Sequence, residues 1–216
     1  MLKLLVIEDH ALVREGLVQV LHQLEDKMEV LEAGTCEAGL ALMAQTPELD
    51  LVLLDLALPG MDGMTCLSEV REHYPAVPVV IVSAYDDAHT VNRALKHGAS
   101  GFIPKAYSTD RLLAALRSVL DGNIYTPDRL MPVSMGVDLA PPAAVKEAEP
   151  SEFGLTERQA EVLGLMTKGK SNRDIANLLG LSEGTVKIHI TAIFKALGVN
   201  SRTQALVAVT RLGIRL

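Results

Sequence analysis

Five side chains in the first half of the sequence are of types that together could transfer a phosphoryl group: the acidic pair Glu8-Asp9, Asp55, Ser83 and Lys105. Three carboxylates drawn into one pocket would crowd negative charge, and an all-oxygen cluster of that kind suits Mg²⁺, which keeps several of its waters. A carboxylate such as Asp55 can attack phosphorus to form an acyl phosphate. That reaction depends mainly on positioning and on cancelling the charge of the phosphoryl oxygens. A lysine ammonium supplies positive charge, and a serine hydroxyl can donate to a phosphoryl oxygen. Singly, each residue has a plainer reading, as a turn former, a helix cap or a solvated lysine, so the grouping must come from the fold.

The elements that would position them are legible. Short apolar runs alternate with helical patterns: "LKLLVI" precedes "LVREGLVQVLHQL", "MEVLEA" precedes "CEAGLALMAQ", "LVLLD" precedes "MTCLSEVREHY", "PVVIVSA" precedes "AHTVNRALKHG", and "GFIPK" precedes "TDRLLAALRSVL". Continuous apolar strands joined through helices predict a doubly wound α/β domain, a five-stranded parallel sheet with helices on both faces. In such sheets ligands collect beyond the carboxyl ends of the strands. Glu8 and Asp9 follow strand one, Asp55 ends strand three, Ser83 strand four and Lys105 strand five. In "LVLLDLALPGMDG" the apolar run anchors Asp55, and Pro59-Gly60 turns the chain away, leaving the carboxylate open.

The chain has two parts of opposite charge. Its net charge is −7, but residues 151–216 hold nine Lys/Arg against five Asp/Glu, and residues 1–150 hold eleven against twenty-two. The expected organisation is a first domain over 1–120, a linker over 121–152 where Pro, Gly, Ala and acidic residues mix without period, and a small all-α domain over 153–216. Helical stretches are predicted at 156–168, 171–179, 182–197 and 202–212. Thr156 with Gln159 forms a capping box, Ser171 with Asp174 a near equivalent, and Ser182 caps the third helix. A short helix, a turn at Gly180-Leu181 and a longer helix make a helix-turn-helix. In that longer helix Val186, Ile190, Ile193 and Leu197 form a buried stripe, and the opposite face carries Gly184, Lys187, Ile188, Thr191 and Lys195. An apolar Ile188 turned from its own core suits a thymine methyl in a major groove, and Lys170, Asn172, Lys187 and Lys195 suit phosphates or base edges.

Cys36 and Cys66 have no partners at metal-ligand spacing, so two buried thiols in a reducing cytoplasm are expected, not a disulfide. No segment approaches the roughly 18 uncharged residues of a membrane span, and a soluble, cytoplasmic protein is the expectation.

Residues 1–120 resemble the receiver domain of two-component response regulators, on "VIED", "LLDLALPGMDG", "VSA" and "GFIPK". The resemblance implies a flavodoxin-like fold with Asp55 as phosphoacceptor. It further implies Mg²⁺ on Glu8, Asp9, Asp55 and the Ala57 carbonyl, Lys105 paired with the phosphoryl group, and Ser83 and Phe102 as the switch pair. Pro104 before Lys105 and Ala106 after it depart from the Lys-Pro that often follows strand five in the family. Residues 155–206 resemble the LuxR/FixJ/NarL-type DNA-binding domain, on "LTERQAEVL", "SNRDIANLLGLSEGTVKIH" and "KALGVNSRTQA". This implies that the helix from Glu183 reads the groove, with Thr185 among its contacts, and that the fourth helix supports dimerisation. Thr191 stands where some relatives place a basic residue.

Together these imply a regulator, not an enzyme, that is phosphorylated by a sensor histidine kinase and binds double-stranded DNA as a homodimer. A phosphatase with an Asp nucleophile would need a second acid two residues on, where Ala57 stands. A receiver serving only as a constitutive dimerisation block is the remaining alternative.

Overall fold

A computed structural model describes residues 1–46, 49–127, 148–199 and 201–216. The first domain runs β1 (Leu2–Ile7), α1 (Ala11–Leu21), β2 (Met28–Ala33), α2 (Cys36–Gln45), β3 (Leu51–Leu54), α3 (Gly63–His73), β4 (Val79–Ser83), α4 (Ala88–Lys96), β5 (Gly101–Pro104) and α5 (Thr109–Leu120). The strands are all parallel in the order β2-β1-β3-β4-β5. Every residue of β3, β4 and β5 is buried, because helices cover both faces. This is why those strands read as unbroken apolar runs rather than alternating ones.

Alternation survives in the choice of face. Leu5, Ile7, Val52, Leu54, Ile81 and Phe102 point to the side covered by α2, α3 and α4, where Met43, Leu67, Val70 and Val91 meet them. Leu4, Val6, Leu51, Leu53, Val80 and Ile103 point to the other side, against Leu21 of α1 and Leu112, Leu116 and Val119 of α5. Each such side chain contributes roughly 1.5–3 kcal/mol by leaving water. Strand β3, central and buried on both faces, is therefore held rigidly at both ends.

The expectation of two free thiols is overturned. Cys36 and Cys66 form a disulfide across Cα atoms 5.8 Å apart, tying the first turn of α2 to the first turn of α3. Both residues lie on the same side of the sheet, fully buried. A separation of 30 residues in sequence carries no sign of a juxtaposition that arises only when the β2-to-β3 crossover lays α2 beside α3.

The two described ends of the segment read as linker carry backbone pairing without any periodic pattern. The Tyr125 amide donates to the Ser100 carbonyl, and the Phe102 amide donates to the Tyr125 carbonyl. Ala148 pairs with the strand-like residue Ile214, and a short 3-10 turn spans Pro150–Phe153. Residues 128–147 lie outside the described residues.

The second domain consists of α6 (Glu157–Thr167), α7 (Asn172–Leu179), α8 (Glu183–Leu197) and α9 (Arg202–Leu212). The capping boxes at Thr156/Gln159 and Ser171/Asp174 both close, and Ser182 accepts from the Thr185 amide. Gly180 ends α7 in the left-handed region at φ +65, a conformation that side chains with a Cβ rarely adopt. The turn it makes sets α8 across α7. The core of this domain joins Val162, Leu163, Met166, Ile175, Val186, Ile190, Ile193 and Phe194.

Candidate phosphoacceptor cleft and groove-reading helix

At the carboxyl end of the sheet the order β2-β1-β3-β4-β5 sets the strand-one loop beside Asp55, with Ser83 and Lys105 on the other side. Parallel register puts Ile7 opposite Leu54, so Glu8 and Asp55 leave their strands at the same height. Both carboxylates are almost wholly buried, at 1% and 2% exposure. The Lys105 ammonium lies 2.8 Å from Asp55 Oδ2 and 2.6 Å from Glu8 Oε2. Burial alone would pull this ammonium down, but the hydrogen bonds and negative charge of Asp55 and Glu8 outweigh it and raise its pKa. It stays charged at neutral pH.

Three carboxylates, Glu8, Asp9 and Asp55, face a single ammonium. All three of Glu8 Oε2, Asp9 Oδ1 and Asp55 Oδ1 are shut from water; Glu8 Oε2 meets only the Lys105 ammonium, Asp9 Oδ1 only the His10 ring, and Asp55 Oδ1 has no partner. Buried carboxylate oxygens left in that state are costly unless a cation meets them. Ligand atoms of Glu8, Asp9, His10 and Asp55 all fall within 4.8 Å of one another. The oxygen donors suit a hard divalent cation such as Mg²⁺, and Ala57 lies in the loop just beyond Asp55, exposed.

The surrounding backbone is fixed by contacts that the sequence did not announce. Arg14, from α1, donates to the Glu8 carbonyl at 2.7 Å and pairs with Glu32 of β2, clamping the loop that carries the acidic pair. The Lys105 amide donates to the Ser83 carbonyl at 2.8 Å, so β5 holds the lysine beside the serine despite the flanking Pro104 and Ala106. Ser83 is fully buried, its hydroxyl accepting from the Tyr85 amide at 3.1 Å. Phe102 is buried beneath it in the core. Gly63, the first residue of α3, packs so closely that a Cβ there would lie 2.2 Å from the Asp55 carbonyl oxygen. Asp62 caps the helix by accepting from the Met64 and Thr65 amides. The Thr65 hydroxyl, ahead of these amide bonds, lowers its pKa.

In the second domain, Ile188 of α8 is 70% exposed, as expected of an apolar residue turned from its own core. Lys170, Thr191 and Lys195 are also exposed, and Asn172 and Thr185 are half-buried. Lys187 departs from the expected solvent-facing position. It is buried, and its ammonium donates to the Leu49 carbonyl and pairs with Asp50 at 3.2 Å. Leu49 and Asp50 belong to the first domain, just before β3, so α8 is docked against it. Arg173 pairs with Glu25 at 3.3 Å and Gln204 donates to the Lys96 carbonyl at 3.1 Å across the same junction. A polar helix face turned outward looks the same in sequence whether it meets DNA or the neighbouring domain.

The domain models of known families agree with this geometry. Residues 4–117 match the response regulator receiver domain, and residues 154–209 match the bacterial regulatory proteins of the luxR family. The chain belongs to the response regulators.

Its relatives match along nearly the whole chain. The glycerol metabolism activator of Pseudomonas putida is 37% identical over 214 residues, covering 96% of this chain and 95% of that protein. The nitrate/nitrite response regulator protein NarL of Escherichia coli K12 is 34% identical over 204 residues, covering 94% and 93%. Among solved structures, a LuxR family DNA-binding response regulator from Silicibacter pomeroyi matches at a TM-score of 0.54 with 29% identity, over 60% of this chain and 99% of that one. A two-component response regulator of the LuxR family from Aurantimonas sp. matches at 0.56 with 25% identity, over 59% and 91%. This response regulator is thus a DNA-binding member of a two-component system, with a receiver domain and a LuxR-type helical domain. Its relatives are transcriptional regulators. Among the described residues no helix is long and apolar enough to cross a membrane.

Proposed function

We propose that Asp55 is the phosphoacceptor of this response regulator, and that its phosphorylation by a sensor histidine kinase, in the cytoplasm, frees α8 to bind double-stranded DNA as a homodimer. The observation that carries the reading is the state of the Asp55 carboxylate: buried, its Oδ2 held by Lys105 and its Oδ1 without a partner. The Oδ1 lone pair attacks phosphorus, the bond from phosphorus to the kinase imidazole nitrogen breaks, and the nitrogen leaves with that electron pair. Lys105, bound to Oδ2, fixes the carboxylate so that Oδ1 stays free to attack, and offsets the charge of the phosphoryl oxygens.

Mg²⁺, on Glu8, Asp9, Asp55 and the Ala57 carbonyl, would supply the remaining positive charge when bound. The Ser83 hydroxyl then exchanges its Tyr85 amide contact for a phosphoryl oxygen, drawing the β4-α4 loop toward Asp55, with Phe102 as the aromatic packed below it. Movement of the receiver releases Lys187 from Asp50 and Leu49. Lys170, Asn172, Thr185, Lys187, Ile188, Thr191 and Lys195 then face the groove together. With few basic residues per module, DNA affinity is modest and salt-sensitive, and two copies on adjacent half-sites are required.

The test is incubation of the full chain with a small acyl-phosphate donor and Mg²⁺, read by intact mass and by DNA binding. The expected result is a gain of one phosphoryl group and tighter DNA binding, both lost in Asp55→Asn. Labelling or a DNA response that persists in Asp55→Asn would overturn it.

A further inference from the structure

One residue at the cleft has a chemistry that an all-oxygen site does not need. His10 follows the acidic pair and occupies the N-cap position of α1, yet its side chain makes no capping bond to the helix. Its ring turns back to the acidic loop instead: Nδ1 lies 2.9 Å from Asp9 Oδ1 and 3.2 Å from Glu8 Oε1. The His10 amide also donates to Glu8 Oε1 at 3.2 Å, fixing the backbone so that the ring sits at the mouth of the cleft. The inner oxygen Asp55 Oδ1 belongs to a carboxylate more than nine-tenths buried and has no hydrogen-bond partner, whereas Glu8 Oε2, equally buried, meets only the Lys105 ammonium. His10 itself is 66% exposed, so the nitrogen closes the donor set from the solvent side.

We propose that His10 is a further ligand of the cleft, making it a mixed oxygen and nitrogen site that prefers divalent first-row transition-metal ions to Mg²⁺. The inference rests on the metal-binding reading of Glu8, Asp9 and Asp55 given above, and extends it to the choice of ion. Mg²⁺ takes hard oxygen donors and gains little from an imidazole, whereas Co²⁺, Ni²⁺, Fe²⁺ and Zn²⁺ bind imidazole well. A donor set of three carboxylates and one imidazole nitrogen within 4.8 Å therefore discriminates by ligand type. The Lys105 ammonium takes Glu8 Oε2 and Asp55 Oδ2, whereas His10 Nδ1 lies against Glu8 Oε1 and Asp9 Oδ1, so the two groups use different carboxylate oxygens.

The experiment is equilibrium titration of the full chain with Co²⁺ and, separately, with Mg²⁺, comparing the unaltered protein with His10→Ala and His10→Asn. Proton NMR of the Co²⁺ form follows the paramagnetically shifted ring N–H of a coordinated imidazole. The expected result is a loss of Co²⁺ affinity of about tenfold or more in both variants, since removing even an outer-shell partner of a ligand costs 10–100-fold. Mg²⁺ affinity should change less than about twofold by the same ligand-type argument, and the shifted resonance should disappear in both variants. Equal losses for the two ions, or unchanged Co²⁺ affinity with the resonance retained, would overturn the proposal and leave His10 a hydrogen-bonding neighbour of the acidic pair. Glu8→Gln distinguishes the two levels of the argument: it should weaken both ions. A protein that binds neither Co²⁺ nor Mg²⁺ would defeat the metal-binding reading itself, and the His10 assignment with it.

Discussion

Replacing Asp50 with Asn should activate DNA binding without any phosphate. Asp50 sits before β3, where the first domain meets α8, and its two oxygens have separate partners. Oδ2 accepts from the Lys3 amide at 2.8 Å, and Oδ1 pairs with the Lys187 ammonium at 3.2 Å. The amide oxygen of Asn keeps the first bond and sets its NH₂ against the ammonium. In the docked arrangement Lys187 would be left with only the Leu49 carbonyl, its side chain 10% exposed, whereas in the released arrangement it is solvated. Stripping one partner from a fully buried ion pair costs 3–5 kcal/mol, and the residual solvent and the retained carbonyl reduce this to about 2 kcal/mol. That is roughly a 30-fold shift toward release, at about 1.4 kcal/mol per decade. Fluorescence anisotropy on a labelled operator, with unphosphorylated full chain, should show DNA binding tightened by about that factor. Mixing the variant with phosphodonor should add little more. An Asp50→Asn protein that binds DNA no better than the unaltered chain, while phosphorylation still enhances both, would refute the reasoning that this ion pair holds α8 down.

Other outcomes follow from the same structure. Ile188→Ala should weaken DNA binding by roughly 1 kcal/mol through loss of an apolar contact while leaving the urea midpoint unchanged, since the side chain is 70% exposed. Gly63→Ala forces a methyl onto the backbone of Asp55 and Leu56, and should destabilise the receiver by up to about 3 kcal/mol, measured by urea titration, with phosphoryl labelling slowed as Asp55 shifts. Reducing the Cys36–Cys66 disulfide reopens a loop spanning 30 residues and should lower receiver stability by about 3.6 kcal/mol on the loop-entropy estimate, seen as a lower denaturation midpoint with reductant and no change in Cys36→Ser/Cys66→Ser. Because the folded Lys105 ammonium is raised above its usual 10.5, its stabilising contribution is complete below that pH and fades as pH climbs past it. Urea midpoints should thus fall more steeply above pH 10.5 for the unaltered chain than for Lys105→Met.

The parallel sheet and the cleft were legible because strand ends are the positions in an α/β fold where a polar residue stands out against a continuous apolar run. Asp55, Ser83 and Lys105 each break such a run, and the order of strands brings them together. Arg14 was not legible: an arginine on an amphipathic helix reads as a solvated charge, and only the crossover from β1 to β2 reveals that its guanidinium reaches the Glu8 carbonyl. Phe194 was missed in the α8 stripe because it stands 100° from Ile193, and the stripe proves wide enough to bury both. Lys187 shows the deeper limit. Periodicity tells which face of a helix leaves its own core, not what that face meets, so docking partners such as Asp50 and Glu25 carry no local signal.

Strand β3 separates two acidic residues with different partners, Asp50 at its entrance paired with Lys187 and Asp55 at its exit paired with Lys105. At about 3.3 Å per residue they stand roughly 16 Å apart, so a group attached at the exit never touches the lysine held at the entrance. Four residues buried on both faces make that strand a stiff rod, unsuited to stretching or buckling. The message must therefore travel around the rod, through elements free to slide, and the Gln204 grip on the last turn of α4 marks the side on which such a detour would surface.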